Sequence, residues 1–334
     1  MELDAKLLQD LSQTSYACST LETVTGGLTN FTFRGRLVHP LPDGSQTVII
    51  KHGEEYGSGF ADFRVPTSRC VIEQEMLRRV RDRQFPPVVH QQVSVRPPRL
   101  YHFDLQTNTQ IMEDIAGSER LRDVARDLSS SKAVDVDSKL LGMLQSNAMI
   151  DDVLHRGLGE KILAHGGSVD VRDTAEKQLK TVDGEGRGVM YGDLTTKKCA
   201  SCVSVLLHVQ IQGGNDVIKI TPIDWEACRL GFHMQDLALL VSDLFVQHSL
   251  ESCPAALAMI RGLVKGYGPV SDAVVFQAAV YSGIYLFLWE GGGPYAYKGE
   301  QVGGLLDIAL SLVVHGATKD REAIKETFLW GLLA

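Results

Sequence analysis

Two aspartates, one in a glycine loop and one at a strand end, carry the chemistry this chain could perform. Asp193 follows Gly192 in "GVMYGDLTTKKCASCVSVLL", a loop after the strand-like "GVM". A carboxylate there can orient a hydroxyl and take its proton. Asp224 ends the apolar run "ITPIDW", where a buried strand delivers a carboxylate to its C-terminal edge. Hard oxygen ligands of that kind suit Mg²⁺. Lys51 ends "TVIIK", with Glu73 and Glu75 downstream. A lysine fixed by a carboxylate can hold a nucleotide's phosphates. Gly26 and Gly27 can let backbone amides approach phosphate oxygens. Singly, each has a plainer role: a surface ion pair for Lys51, a turn for the glycines, a cap or turn for either aspartate. In chain order they form a set.

The elements that must position this set are legible from periodicity. "GGLTNFTFRGRLV" alternates apolar and polar residues, and "GSQTVIIKHG" is a β-branched strand after the turn "LPDG"; the two can pair as an antiparallel hairpin. "SRCVIEQEMLRRVRDR" places Val71, Met76, Leu77 and Val80 at helical spacing. "FPPVVHQQVSVRPPRL" contains four prolines and reads as an extended connection. "RLYHFDLQTNTQIMEDIAG" reads as two more strands with a turn at "QTN". Helical periods are expected over about 119–128, 137–163 and 173–181, followed by a hairpin, "SVLLHVQIQ" to "VIKITPIDW". From Met234 onward the chain reads as almost wholly helical. The expected fold is α+β, with a β-rich N-lobe over residues 1–111 and a mainly helical C-lobe over residues 112–334 that includes the hinge and the catalytic-loop hairpin.

Composition narrows the partners. The net charge of −8 argues against nucleic acid, whose phosphates require a basic face. No basic-then-apolar signal segment opens the chain, and no apolar run is long enough to span a bilayer, so no membrane is expected. Six cysteines in 334 residues make no disulfide scaffold and point to a reducing, cytoplasmic setting. Cys199 and Cys202 have C-x-x-C spacing, but no second pair stands at matching distance for zinc; His208 and Cys228 are the residues that could be recruited.

The ordered set resembles the aminoglycoside phosphotransferase, choline kinase and methylthioribose kinase superfamily, which has a protein-kinase-like bilobal fold. "GGLTNFTFR" is similar to the glycine-bearing first hairpin and "VIIKHG" to the strand of the ATP-binding lysine. "SRCVIEQEML" resembles the helix of its partner glutamate, which on that register is Glu73. "QIMEDIAG" looks like the adenine-binding hinge, which implies nucleotide contacts at Met112, Glu113 and Ile115. "YGDL" stands where the family has His-Gly-Asp, and "IDWEACRLGFHMQDLALLVSD" is similar to the metal-aspartate segment, with Asp236 in the place of the aspartate that braces the catalytic loop. The wording "DWE-C--G" is similar to fungal small-molecule kinases of the hydroxytryptamine kinase type. The resemblance implies ATP and Mg²⁺ as cofactors, a small-molecule hydroxyl as acceptor, and Asp193 as the catalytic residue. In "YLFLWEGGGPYAYKG", Trp289 and Glu290 would face the acceptor together with Glu226, as an aromatic plate and carboxylates suit a cationic or aromatic molecule. A core tryptophan before a capping turn is the plain alternative for Trp289.

The chain departs from the family pattern after Asp193. The family's metal-binding asparagine stands five residues on, where this chain has Lys198, and lysine has no acceptor. In a second register Ser204, just before "VLLHV", takes that place after an insertion of about six residues, "KKCASC", and would join Asp224 at the metal. Two functions therefore stand open. One is an ATP- and Mg²⁺-dependent small-molecule kinase of secondary metabolism. The other is a kinase-fold protein that has left phosphoryl transfer, either non-catalytic or using Asp193, Asp224 and Glu226 as acids and bases on another substrate.

Overall fold

The computed structural model describes residues 3–25, 29–59, 64–82, 88–90, 93–120, 158–180, 187–192, 205–210, 217–290 and 300–333. They belong to two compact units, Met1–Leu121 with Lys197–Glu226, and Arg122–Thr196 with Ala227–Ala334.

In the first unit, helix α1 (Leu3–Leu11) buries Leu7 and Leu11, one helical turn apart. They pack with Phe33, Leu37, Val48, Ile50 and Ile111 of an antiparallel sheet. Its strands are β1 (Cys18–Thr23), β2 (Asn30–Leu37), β3 (Thr47–Gly53), β6 (Leu100–Asp104) and β7 (Thr109–Glu113), in the order β1-β2-β3-β7-β6. The hairpin expected of "NFTFRGRLV" and "TVIIKHG" forms with Asn30 opposite Gly53 and Arg36 opposite Thr47. Helix α2 (Ser68–Asp82) buries Ile72, Met76, Leu77 and Val80. Ile72 takes the inward position, and Val71 is only half-buried.

A second sheet in this unit has the order β4-β5-β11-β10-β8. It comprises β4 (Val88–His90), β5 (Val93–Val95), β8 (Glu119–Arg120), β10 (Val205–Gln210) and β11 (Val217–Pro222). The β10–β11 hairpin is as expected. The proline-rich stretch is more than a connection, because its prolines flank two three-residue strands, and β5 runs parallel to β11. The period expected to be helical from 119 starts instead as β8, paired with Leu206 and Leu207; residues 121–157 lie outside the described residues.

The second unit is built on helices. They are α3 (Leu158–Ala164), α4 (Val169–Lys180), α5 (His233–Glu251), α6 (Pro254–Tyr267), α7 (Asp272–Glu290), α8 (Glu300–Thr318) and α9 (Arg321–Lys325). Helices α7 and α8 cross closely at Gly283, where a Cβ would stand 2.5 Å from the Ala309 carbonyl oxygen. A two-stranded ladder pairs β9 (Arg187–Met190) with β12 (Arg229–Phe232), Met190 opposite Arg229. Among the described residues, no helix is long and apolar enough to cross a membrane.

Candidate active site

The alternation of β3 decides where Lys51 points. Ile50 turns into the core beneath α1, so Lys51 turns to the opposite face of the sheet. There its Nζ donates to Glu73 Oε1 and Oε2, at 2.9 and 2.7 Å, and to Asp224 Oδ1 at 2.7 Å. Glu73 rather than Glu75 is the partner; the Glu75 carboxylate accepts from Arg78 and Arg79 on its own helix. Burial pulls the Lys51 ammonium down, but Asp224 and then Glu73 and Glu226 outweigh it, holding the lysine well above its ordinary value. Burial pushes the Glu73 carboxyl up to about 7, with Lys51 as the chief opposing pull.

Strand β11 ends at Pro222, and Asp224 follows in the left-handed region at φ 72°. Aspartate tolerates this conformation better than most residues. A 3-10 turn, Trp225–Ala227, comes next. The Trp225 N–H donates to Glu73 Oε1 at 3.1 Å, and its indole N–H to the Pro222 carbonyl at 3.0 Å. Glu73 therefore ties α2 both to the lysine strand and to the residue after Asp224.

Glu226 corrects an expectation. Placed at the substrate by sequence, it is 0% exposed. Its Oε1 accepts from Thr29 Oγ1 at 2.5 Å and its Oε2 from Asn30 Nδ2 at 2.7 Å, with Arg69 Nε 3.3 Å from Oε2. A carboxylate so enclosed is a brace and presents nothing to a substrate. Arg69 was not anticipated; a single arginine at the start of an amphipathic helix looks like surface charge, yet it is 0% exposed. The signal for it was Glu226 itself, since a carboxylate inside an apolar segment needs a buried partner.

Oxygens of Glu73, Asp224 and Glu226 lie within 4.8 Å of one another, the one such group of potential metal ligands among the described residues. Glu73 and Glu226 are spanned by protein partners, whereas the Asp224 side chain keeps 21% of its exposure. Carboxylate oxygens in this concentration fit Mg²⁺, with Asp224 as the accessible ligand. Ser204, the other expected ligand, lies outside the described residues, as do Asp193, Gly26, Gly27, Lys197, Lys198, Cys199 and Cys202. Cys228 is fully buried, and no cysteine–histidine metal group forms among the described residues.

At the expected hinge, Met112 is buried in β7 opposite Ile49. The Glu113 side chain is engaged by Arg96, at 2.6 Å through both guanidinium nitrogens, and its N–H donates to the Arg99 carbonyl at 2.8 Å. The Ile115 carbonyl accepts from the Ser118 hydroxyl at 2.6 Å. Glu113 is thus held by the protein through both its side chain and its N–H.

In the second unit, β9 leads through Tyr191 to Gly192, the last described residue before Asp193. Asp236, at the start of α5, accepts from the Tyr191 and Gly192 N–H groups at 2.7 and 2.8 Å. The resemblance implied a catalytic-loop brace at Asp236; these bonds reach the two residues before Asp193, which itself lies outside the described residues. Trp289 and Glu290 close helix α7, and their side chains lie outside the described residues. A cavity of about 430 Å³ opens in this unit between Phe245, Ile308, Leu312, His315 and Phe328, and holds none of the expected site residues.

No family model matches the chain. It is 30% identical to the phosphotransferase FrzJ of Cladobotryum sp, over 97% of this chain and 94% of that protein. It is 24% identical to the 4-hydroxytryptamine kinase of Psilocybe cubensis, over 85% and 84% of the two chains. Among solved structures, the amicoumacin kinase hAmiN, in complex with AMP-PNP and Ca²⁺, matches 94% of each chain with a TM-score of 0.55 and 11% identity, a likeness of fold. With FrzJ matched at 30% identity across nearly its whole length, the chain belongs to the family of that phosphotransferase, and it shares the fold of the amicoumacin kinase.

Proposed function

We propose that this protein transfers a phosphoryl group from ATP to a hydroxyl of a small molecule of secondary metabolism. The observation that carries this reading is the Lys51–Glu73–Asp224 constellation, in which one ammonium meets two carboxylates within 2.9 Å. ATP supplies the transferable phosphoryl group, and Mg²⁺ the charge neutralisation that phosphoryl transfer requires.

Lys51 holds the nucleotide's phosphates, and Glu73 fixes the direction of its ammonium. Asp224 is the ligand for Mg²⁺. Asp193 orients the acceptor hydroxyl and takes its proton, with Asp236 holding the backbone that leads into it. FrzJ is a phosphotransferase and the Psilocybe relative a 4-hydroxytryptamine kinase, which supports a small hydroxylated acceptor here.

Calorimetric titration of ATP with and without Mg²⁺, on the wild type and on Asp224→Ala, tests the reading. Binding that requires Mg²⁺ and is lost in the variant is expected. Absence of binding in the wild type under both conditions would overturn it in favour of a kinase fold without phosphoryl transfer, the outcome Lys198 would favour as a cation five residues after Asp193.

A further inference from the structure

We propose that Arg69 and Glu226 form a buried clamp on Thr29 and Asn30 that sets the start of β2 against Asp224, making Glu226 a positioning residue for nucleotide binding. The inference rests on the kinase reading above and adds to it a device outside the Lys51–Glu73–Asp224 constellation.

The four residues are almost wholly withdrawn from water: Arg69 and Glu226 are 0% exposed, Asn30 4% and Thr29 7%. Glu226 accepts from the Thr29 hydroxyl and the Asn30 amide. Arg69 Nη2 donates to the Thr29 carbonyl at 2.9 Å and to Asn30 Oδ1 at 3.1 Å. The hydroxyl, the carbonyl and both ends of the carboxamide are thus gripped by one ion pair. Arg69 Nη1 reaches further, to the carbonyls of Glu54, Val65 and Pro66 at 2.9–3.2 Å.

The position of this grip gives it meaning. Thr29 lies two residues after Gly27, and Asn30 faces Gly53 in the ladder, two residues from Lys51. Glu226 lies two residues after Asp224, whose left-handed backbone leaves it little freedom to relocate. Glu73 holds Trp225 from one side while Glu226 holds β2 from the other, so Asp224 stands next to a residue anchored by α2 and two before one anchored by β2. Ion pairs without solvent are costly to form, and replacing both charges by apolar groups is often neutral or stabilising. Geometry at the start of β2 is what this pair adds beyond cohesion.

The test separates position from stability. Thr29→Val keeps the shape of the side chain and removes one hydroxyl. Glu226→Gln breaks the charge pair, and the double variant Arg69→Met with Glu226→Met removes both charges. Thermal unfolding and calorimetric titration with AMP-PNP and Mg²⁺ are read on each. Thr29→Val is expected to melt below the wild type, because it leaves the buried Glu226 carboxylate short of a donor, and, titrated well below that midpoint, to bind the nucleotide about tenfold more weakly. The double variant also strips the donors from the Thr29, Glu54, Val65 and Pro66 carbonyls, so it is expected to recover at most part of the stability lost in Glu226→Gln, and none of the affinity. Wild-type affinity in Thr29→Val, or affinity returning with stability in the double variant, overturns the clamp and leaves the kinase reading standing. A wild type that does not bind AMP-PNP overturns both.

Discussion

The Gly192 N–H points at the Asp236 carboxylate, 2.8 Å from Oδ1, while the neighbouring Tyr191 N–H meets Oδ2 at 2.7 Å. Burial pushes the Asp236 carboxyl up from 3.8 to about 6, against the two N–H groups and Arg229, which pull it down. A folded-state value above the unfolded one means that the native state holds the proton more tightly. The associated stability is complete below about pH 4 and is lost as pH rises through 6. Its full size is about 3 kcal/mol, at 1.36 kcal/mol per pH unit. Asp236→Asn removes the titration, so the melting temperature of the wild type should fall relative to that of the variant between pH 4 and 6. Parallel curves across this range would show that Asp236 stays ionised throughout.

Gly192 is constrained twice. Its φ is +85°, and a Cβ there would stand 2.2 Å from the Ala227 carbonyl oxygen, a backbone atom that cannot rotate away. Gly166, in the same unit, has φ +87° with nothing within 4 Å of its Cβ position. Gly166→Ala therefore reports the left-handed conformation alone, about 1 kcal/mol. Gly192→Ala carries that cost plus the clash and should lose at least about 2 kcal/mol more. The difference is read from denaturant midpoints. Since Asp193 is the next residue, the variant should also lose phosphotransfer disproportionately to its stability.

What could be read before folding follows from how far apart the cooperating residues stand and which period places them. Lys51 stood out as the charged end of a β-branched strand, whereas the residues alone left Glu73 and Glu75 open and only the register of the resemblance chose Glu73. Asp224 was legible as the polar end of an apolar run. Glu226 was singled out but misplaced, and Arg69 was missed, because a side chain's burial depends on segments nearly 200 residues distant, and charge in a local window looks like solvent exposure. The strands Val88–His90 and Val93–Val95 were hidden differently: three residues are too few to show a period, and the flanking prolines suggest an unpaired chain. Their pairing comes from β11, far along the sequence.

Replacing Lys51 with Met leaves Glu73 and Asp224 facing each other without their ammonium. Breaking a buried pair in this way costs about 3–5 kcal/mol. Glu73 has a way to reduce this, since burial already raises it to about 7 and loss of Lys51 removes its chief opposing pull. In Lys51→Met it should take up a proton at neutral pH. With the folded value above the unfolded one, the stability of the variant should fall as pH rises above neutrality, more steeply than that of the wild type. Adding Glu73→Gln should flatten that slope. Neither variant should recover nucleotide binding, and phosphotransfer should drop by at least about 10²–10³-fold, the scale of one lost electrostatic contact. Urea unfolding at pH 6, 7.5 and 9 reads the slope; equal slopes for the single variant and the wild type would contradict the protonation.

Arg96 joins the two sheets of the first unit. Its backbone N–H donates to the Ile220 carbonyl on β11 at 3.0 Å, while its guanidinium grips Glu113 at the end of β7 with two bonds of 2.6 Å. Arg34 holds the adjacent Asp114 in the same two-pronged way, at 2.8 and 3.2 Å. The Glu113–Asp114 segment, the expected hinge, is therefore held by two arginines, and the Arg96 N–H ties it to β11, the strand that leads to Asp224. Because 40% of the Arg96 side chain stays exposed, solvent screening limits the pair to about 1 kcal/mol of stability. The larger effect should fall on nucleotide affinity, since Arg96→Ala frees the hinge without touching Lys51, Asp224 or Asp193. The expected result is a KM for ATP raised several-fold with kcat nearly unchanged. Arg96→Lys should not restore it, because an ammonium cannot reproduce the planar two-pronged contact. A loss confined to kcat would show that Arg96 acts on the transferring groups and not through the hinge.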